Sequence, residues 1–337
     1  MDRGTDSPRP RRVRVVVVNF NGGDAVLRCV DALGALDTRH EVEIVVVDNA
    51  SGDGSTEALR ARPGVAVWPT GENLGFVANN LALADLRAVD YVALVNNDAF
   101  VESDWLDPLV EALETDTRLG AVQSKILFDG RRTADGLDVI NNVGGVVLAD
   151  GSGADRGFDE PDRGQYDQPD EVFAWCGGGV LLRPSYLADV GLFDERLFLY
   201  YEDTDLSWRG RALGWRYRLE PRSVVRHLHA ASSGEASPVF RYYNERNRLV
   251  VLVKNAPAAL AQRAALRHPL STLSYLRQAV RDAVRQRRRP DLGLVAVRLR
   301  AYGGFLRLLP AALAARRRLA HRRTVSEAEV SRWIGRV

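Results

Sequence analysis

Apolar and polar positions along the first half of the chain follow two periods. Residues 13–21, VRVVVVNFN, are a nearly unbroken β-branched run, which suits a strand buried on both faces. Val26, Val30 and Leu33 then recur at helical spacing within 25–36. Further buried strands are predicted over 41–51, 65–71 and 90–98, with helices over 55–62, capped at Ser55, and over 75–86. Strands alternating with helices in this way imply right-handed βαβ units and a parallel sheet.

Beyond a helix at 105–116 and a strand-like stretch at 121–128 the pattern loosens. Residues 129–171 are rich in Gly and Asp and read as excursions or a mobile loop over one sheet edge. Order returns over 177–215 as a strand, a helix, and a second helix starting near Glu202. From about residue 240 the chain reads as helical and basic, interrupted at Pro257, Pro269, Pro290 and Pro310, and no internal repeat is present.

Composition narrows the class. The chain has 337 residues, 46% hydrophobic and 27% charged, as in a soluble globular protein. Cys29 and Cys176 are far apart with no CxxC spacing, so neither a disulfide framework nor a zinc site is indicated. Residues 1–12 are expected to be disordered, and they lack the apolar core of a signal peptide. No window is long and apolar enough to span a membrane, so the expected location is the cytoplasm. The net charge of +2 hides a segregation: residues 254–337 hold 19 Lys+Arg against 4 Asp+Glu, leaving the rest acidic.

In an open parallel sheet, ligands bind at the carboxyl ends of the strands. Three predicted strands end in polar residues there: Asn19 and Asn21, Asp48 and Asn49, and Asn96, Asn97 and Asp98. The GxGxxG and GxxxxGK[ST] phosphate devices are missing. Asp48 suits a nucleobase N–H or a ribose hydroxyl. Asp98 suits a hard divalent cation with Asn96 offering a carbonyl oxygen, although a turn or cap role accounts for Asp98 equally well in isolation. A nucleoside diphosphate bridged through Mg²⁺ or Mn²⁺ fits these parts. Downstream, Glu202, Asp203 and Asp205 open a predicted helix, where acidic residues also complement the helix dipole.

The segments VVVNFNG, VVVDNASGDGS, NLGFVANN, LVNNDAFVESDWL and FDERLFLYYEDTDLSWRGRALGW occur in the order found in family 2 glycosyltransferases. The resemblance covers roughly residues 13–250 and is greatest to rhamnosyltransferase-type members. It implies a GT-A, Rossmann-like α/β fold with a mixed central sheet and a helical C-terminal extension. It further implies a nucleotide-sugar-binding half over 13–120, an acceptor-binding half over 121–250 and a basic helical extension over 251–337.

On that resemblance Asp48 contacts the nucleoside, Asn73, Gly75 and Phe76 line the nucleotide-sugar pocket, and Asn96 and Asp98 form a DxD-type metal and diphosphate motif. Asn at the first position lowers the charge of that motif by one. The resemblance makes Asp203 the general base of an inverting transfer, with Glu202 positioning acceptor or base, and Asp205 and Arg209 bracing the helix. Gly177, Gly178 and Gly179 permit close backbone approach and line the acceptor side. Trp175 either stacks on a sugar ring or packs in the core. His227, 24 residues beyond Asp203, completes the metal site, and Arg246 serves the phosphates.

The implied reaction moves a sugar, with dTDP-rhamnose favoured over UDP sugars as donor, to a hydroxyl on a glycan, lipid carrier or natural product in a bacterial pathway. The lack of a QxxRW motif points to a non-processive enzyme. The competing reading is a catalytically inactive sugar-nucleotide-binding or scaffold partner of another transferase. For the basic tail, peripheral contact with the inner face of an anionic membrane and packing on the catalytic unit or in a dimer both stand, with nucleic acid disfavoured.

Overall fold

The β-branched runs pair at the centre of one sheet. In the computed structural model, which describes residues 9–229 and 237–336, β1 (Arg12–Asn19), β2 (Glu41–Asp48), β3 (Val65–Pro69) and β4 (Tyr91–Asn96) are parallel in the order β3-β2-β1-β4. The helices α1 (Gly23–Gly34), α2 (Ser55–Arg60) and α3 (Asn79–Leu83) connect them. Val15 and Val17 face one core layer with Val26, Val30 and Leu33 of α1, whereas Val16 faces the opposite layer with Ala82 and Leu83. Burial on both faces is why the strand is apolar at nearly every position.

The chain continues through β5 (Ala99–Val101), then, after α4 (Leu106–Glu114), β6 (Leu119–Arg132), β7 (Asp138–Asn142), β8 (Gly145–Val147), β9 (Gly153–Asp155), β10 (Asp170–Glu171) and β11 (Gly179–Leu182). After α5 (Pro184–Val190) and α6 (Glu202–Ala212) comes β12 (Arg216–His227), and then α7 (Pro238–Asn255), α8 (Ala258–Arg285), α9 (Gly293–Arg322) and α10 (Glu327–Ser331). Antiparallel β11 sits between β4 and β6, and β12 runs parallel to β6, which makes the sheet mixed. β8 and β9 form a separate small hairpin.

Several local expectations are corrected. The cap of α2 is Gly54, with φ of 85°, while Ser55 lies inside the helix and donates to Asp53. Residues 75–86 form a 3₁₀ turn, Gly75–Ala78, and only five residues of α-helix. The Gly- and Asp-rich 129–171 segment contains the end of β6 and four short strands instead of one long loop. Pro269 and Pro310 lie inside α8 and α9, both on the exposed side, where the carbonyl freed by each ring reaches water. Of the disordered N-terminus expected over 1–12, residues 1–8 lie outside the described residues, while Arg9 pairs with Asp90 at 2.9 Å and Arg12 starts β1.

The expected division at residue 250 falls within α7, and the contacts of that helix explain why. Lys254 Nζ donates to Asp205 (2.8 Å) and Asp194 (2.6 Å), and Asn255 Nδ2 donates to the second Asp205 oxygen at 2.8 Å. Asn247 Nδ2 donates to the carbonyls of Leu197, Leu199 and Tyr200, and Arg246 Nη2 to those of Arg196 and Leu197. Arg209, one turn along α6, closes the arrangement on Asp205 at 3.0 Å and on the carbonyls of Val190 and Leu192. Burial alone would raise the Asp205 carboxyl, but Lys254 and Arg209 outweigh it and hold it below the usual range. The extension therefore packs on the catalytic unit: α9 lies along α7, Arg316 Nη1 donates to Val253 and Ala256, and Gly335 N–H donates to Val147.

Asp205 is fully buried. Asp205→Ala leaves Lys254, Arg209 and Asn255 short of an acceptor and is expected to cost about 3–5 kcal/mol. In urea titration this appears as a lower midpoint with an unchanged slope.

Candidate active site

The carboxyl ends of β1, β2 and β4 meet as the alternation predicts. Asn19 is fully buried, and its Nδ2 lies 3.0 Å from Asp48 Oδ1 and 2.9 Å from Ser55 Oγ. Thr56 Oγ1 donates to the same Asp48 oxygen at 2.9 Å, which leaves Oδ2 facing only the Ser51 N–H at 3.3 Å. Asn21, with φ of 51°, accepts from the Gly52 N–H, so its amide holds the β2–α2 loop. Asn49 Nδ2 donates to the Gly75 carbonyl at 2.9 Å, and Asn73 Oδ1 accepts from the Gly75 N–H at 2.9 Å. Gly75 itself has φ of 70°, and a side chain there would run into the Phe198 carbonyl.

A second group forms where β4 faces β12. His227 Nε2 lies 2.9 Å from Asp98 Oδ1 and 3.3 Å from Asn96 Nδ2. Its Nδ1 lies 3.0 Å from Asn141 Oδ1, and Asn141 Nδ2 is 3.3 Å from His229 Nδ1. Asp98, Asn141 and His227 are all buried. An Nδ1–H donated to Asn141 would leave the Nε2 lone pair for a cation shared with Asp98, as a metal-binding histidine is oriented through its other ring nitrogen. Among the described residues no cluster of three or more His, Cys, Asp or Glu could hold a metal. The donors fit a divalent cation that takes its remaining ligands from diphosphate oxygens and water. Asn97 packs against Gly22, whose hypothetical Cβ would come within 2.9 Å of its Nδ2.

The glycine segment links these groups to the carboxylates. A Cβ on Gly177 would strike the Phe76 ring, and one on Gly178 would lie 3.5 Å from Asn96 Nδ2. Gly177 N–H is hydrogen-bonded to Asp203, and Gly179 enters β11 against Val225 and Ser124. Asp203 also accepts from the Thr204 N–H at 2.5 Å. Burial raises its carboxyl to about 6 against those donors, with Asp155 of the β8–β9 hairpin adding to the rise. Glu202 is raised well above the ordinary carboxyl range by burial and then by Asp203, and its Oε2 is buried without a hydrogen-bond partner. Two adjacent buried carboxyls, both raised, are the pattern that marks candidate acid–base sites.

Two predicted residues have other duties. The Trp175 indole is 1% exposed, donates to Tyr186 at 3.4 Å and packs edge-on to Phe193, so it has no face to offer a sugar. Arg246 is also buried, with its guanidinium on the carbonyls of 196 and 197 and over the Tyr243 ring, because it secures the loop before α6. Sequence reasoning missed Asn141, His229 and Asp155, which reach the site from the region read as a loose excursion or from beyond His227. It also missed Phe198, Tyr200 and Tyr201, which have φ of 66°, 67° and 69°. Such left-handed geometry in non-glycine residues costs of order 1–3 kcal/mol each and gathers at functional sites. A separate cavity of about 420 Å³ lies at the opposite ends of β6 and β12, where Arg216 pairs with Asp116 and Glu171.

Residues 14–178 match the family model described as Glycosyl transferase family 2. The chain is 30% identical over 300 residues to the N-acetylglucosaminyl-diphospho-decaprenol L-rhamnosyltransferase of Mycobacterium tuberculosis, covering 83% of this chain and 97% of that protein. It is 26% identical to the pre-mycofactocin glycosyltransferase of the same species, over 67% of this chain and 45% of that protein. Among solved structures, GalNAc-T7 with UDP, GalNAc and Mn²⁺ superposes with a TM-score of 0.57 at 18% identity, over 73% of this chain and 48% of that one. The mannosyltransferase PcManGT of Pyrobaculum calidifontis, with GDP-Man and Mn²⁺, gives 0.50 at 20% identity over 96% and 79%. These likenesses establish the GT-A fold.

Because the folded Asp203 carboxyl titrates near 6, above its ordinary 3.8, the folded state binds the extra proton between those values and loses stability as pH rises through them. Asp203→Asn removes that loss. The variant is expected to gain stability relative to the wild type between pH 4.5 and pH 8, by about 2 kcal/mol, measured by denaturant titration at both pH values. An equal difference at the two would show that the carboxyl is not raised.

Proposed function

The chain belongs to glycosyl transferase family 2, and from that membership we propose that it transfers a deoxyhexose, rhamnose, from a nucleoside diphosphate donor to an acceptor hydroxyl in a single inverting displacement. The observation that carries the reading is the Asp203 carboxyl, raised to about 6 and joined through Gly177 to the strand ends bearing Asn96 and Asp98. In this reading residues 13–120 bind the donor, residues 121–250 the acceptor, and residues 251–337 are the basic extension.

Asp203 accepts the proton of the acceptor hydroxyl as its oxygen bonds to the anomeric carbon, and the bond from that carbon to the diphosphate oxygen breaks. Glu202, kept neutral by burial, lets Asp203 hold its negative charge without a second charge beside it. Asp48 orients the nucleoside through its less occupied oxygen, while Asn49, Asn73, Gly75 and Phe76 shape the wall beside it. Asp98, Asn96 and His227 would hold Mg²⁺ or Mn²⁺, which supplies positive charge for the departing diphosphate. dTDP is the favoured nucleotide, with UDP next. The decaprenol-linked acceptor named for the Mycobacterium tuberculosis relative supports a lipid-carried glycan as acceptor, transferred at the inner face of the membrane.

The reading is tested by thermal stabilisation with dTDP, UDP and their sugars, each with and without Mn²⁺, followed by turnover with dTDP-rhamnose. A nucleotide at 100 times its Kd is expected to stabilise the protein by about 2.7 kcal/mol. Asp98→Ala should abolish the Mn²⁺-dependent part of that shift. Asp203→Asn should keep the shift yet lose kcat by roughly 10²–10⁴-fold. Wild-type kcat should fall tenfold per pH unit below about 6, as protonation removes the base. Nucleotide binding without turnover on any glycan acceptor would leave a sugar-nucleotide-binding protein.

A further inference from the structure

The outer faces of α8 and α9 are apolar where the fold does not require it. On α8, Leu266, Leu270, Leu273, Val280 and Val284 are 67%, 65%, 42%, 44% and 73% exposed. Their spacing of four, three, seven and four residues sets them on one stripe of the helix, with only Arg277 interrupting it. The opposite side of α8, with Leu260, Ala264, His268 and Thr272, is the one that packs inward. On α9, Leu292, Leu299, Leu306 and Leu313 recur every seven residues, counted from the residue preceding its first turn, and are 43–58% exposed.

Arginines border both stripes along one side. Arg267, Arg281 and Arg285 each follow a member of the α8 stripe by one position, Arg263 lies three residues before Leu266, and Arg300 and Arg307 each follow a leucine of the α9 row. All six are exposed. Arg287, Arg288 and Arg289 extend the charge beyond the end of α8. Residues 254–337 carry 4 acidic residues to offset 19 basic ones. A second copy of the chain laid on this face would set arginines against arginines. An anionic lipid surface complements both features: apolar side chains enter the acyl boundary while guanidinium groups meet phosphates. Neither helix is long and apolar enough to cross a membrane, so the arrangement is that of helices lying in the interface.

We infer that the outward stripe of α8, flanked by the arginines of α8 and its continuation, is a docking surface for anionic phospholipid membranes. It goes beyond the proposed transfer reaction, giving the peripheral contact a defined surface, and it stands or falls without any nucleotide sugar. The internal polar network of the same helices is separate from this face. Arg298 donates to Glu245, Ser271 and Thr272, and His268 stacks on Tyr302, so the outer stripe can be altered without opening the packed side.

The test is flotation of the full chain with vesicles of phosphatidylcholine alone and of phosphatidylcholine with phosphatidylglycerol. The wild type should bind only the anionic vesicles, and added salt should weaken binding. The triple variant Leu266→Gln, Leu270→Gln, Val284→Gln should bind at least about tenfold more weakly, as should Arg281→Glu with Arg285→Glu. Both should retain the wild-type melting temperature and the wild-type response to nucleotides, which separates this surface from the donor site. Absence of binding to anionic vesicles would overturn the inference, as would undiminished binding by the leucine and valine variant. A wild-type dimer in sedimentation that the same substitutions dissociate, with no vesicle binding, would assign the face to a second copy instead.

Discussion

A buried carboxylate, Asp205, determines where the chemistry can stand. Glu202 and Asp203 lie at the start of α6, a helix with no clean apolar face to seat it, so its position comes from polar bonds. Asp205 receives Lys254, Arg209 and Asn255 in a region closed to water, where such bonds are strong and costly to break. The preceding loop, with three non-glycine residues at positive φ, is held in turn by Asn247 and Arg246. All four α7 side chains therefore act on the segment that carries Glu202 and Asp203. The helix that looks like the start of an appendage is the clamp of the candidate site.

That clamp has an electrostatic consequence. Cationic partners reach Asp205 and Asp194 and hold both carboxyls low, whereas two residues earlier Asp203 has backbone and hydroxyl donors but no cation and rises to about 6. Three carboxyls on one helix turn thus differ according to what faces them: Lys254 and Arg209 hold Asp205 low, burial raises Asp203 to about 6, and burial and then Asp203 raise Glu202 well above the ordinary range. The helix dipole explains why acids are tolerated there but does not distinguish among them.

The glycines are the other half of the assembly. The polar strand ends belong to the parallel strands β1, β2 and β4, and the raised carboxyls to α6, which follows antiparallel β11. The two meet across Gly177 and Gly178: Gly177 lies too close to the Phe76 ring to admit a side chain and donates its N–H to Asp203, and Gly178 runs beside Asn96. The same economy of space appears at Gly75 against Phe198. Close backbone contact brings the two sites together without a long reach by any side chain.

The sequence by itself determined the parallel half of the fold, because a strand buried on both faces must be apolar at nearly every position. It also determined the polar strand ends around Asn19, Asp48 and Asp98, since their location follows from strand direction alone. The motif order carried the family. Tertiary structure decided the rest. Trp175 and Arg246 are chemically suited to a sugar and a phosphate, and only their burial and bonding reveal a core side chain and a loop clamp. Asn141 and Asp155 come from short strands whose pairing depends on distant partners, so no local pattern announces them. Which of three adjacent carboxyls is held low and which are raised depends on the charges that α7 brings from fifty residues away. A periodic pattern reports which way a side chain points, whereas its pKa and its duty depend on what the folded chain places opposite it.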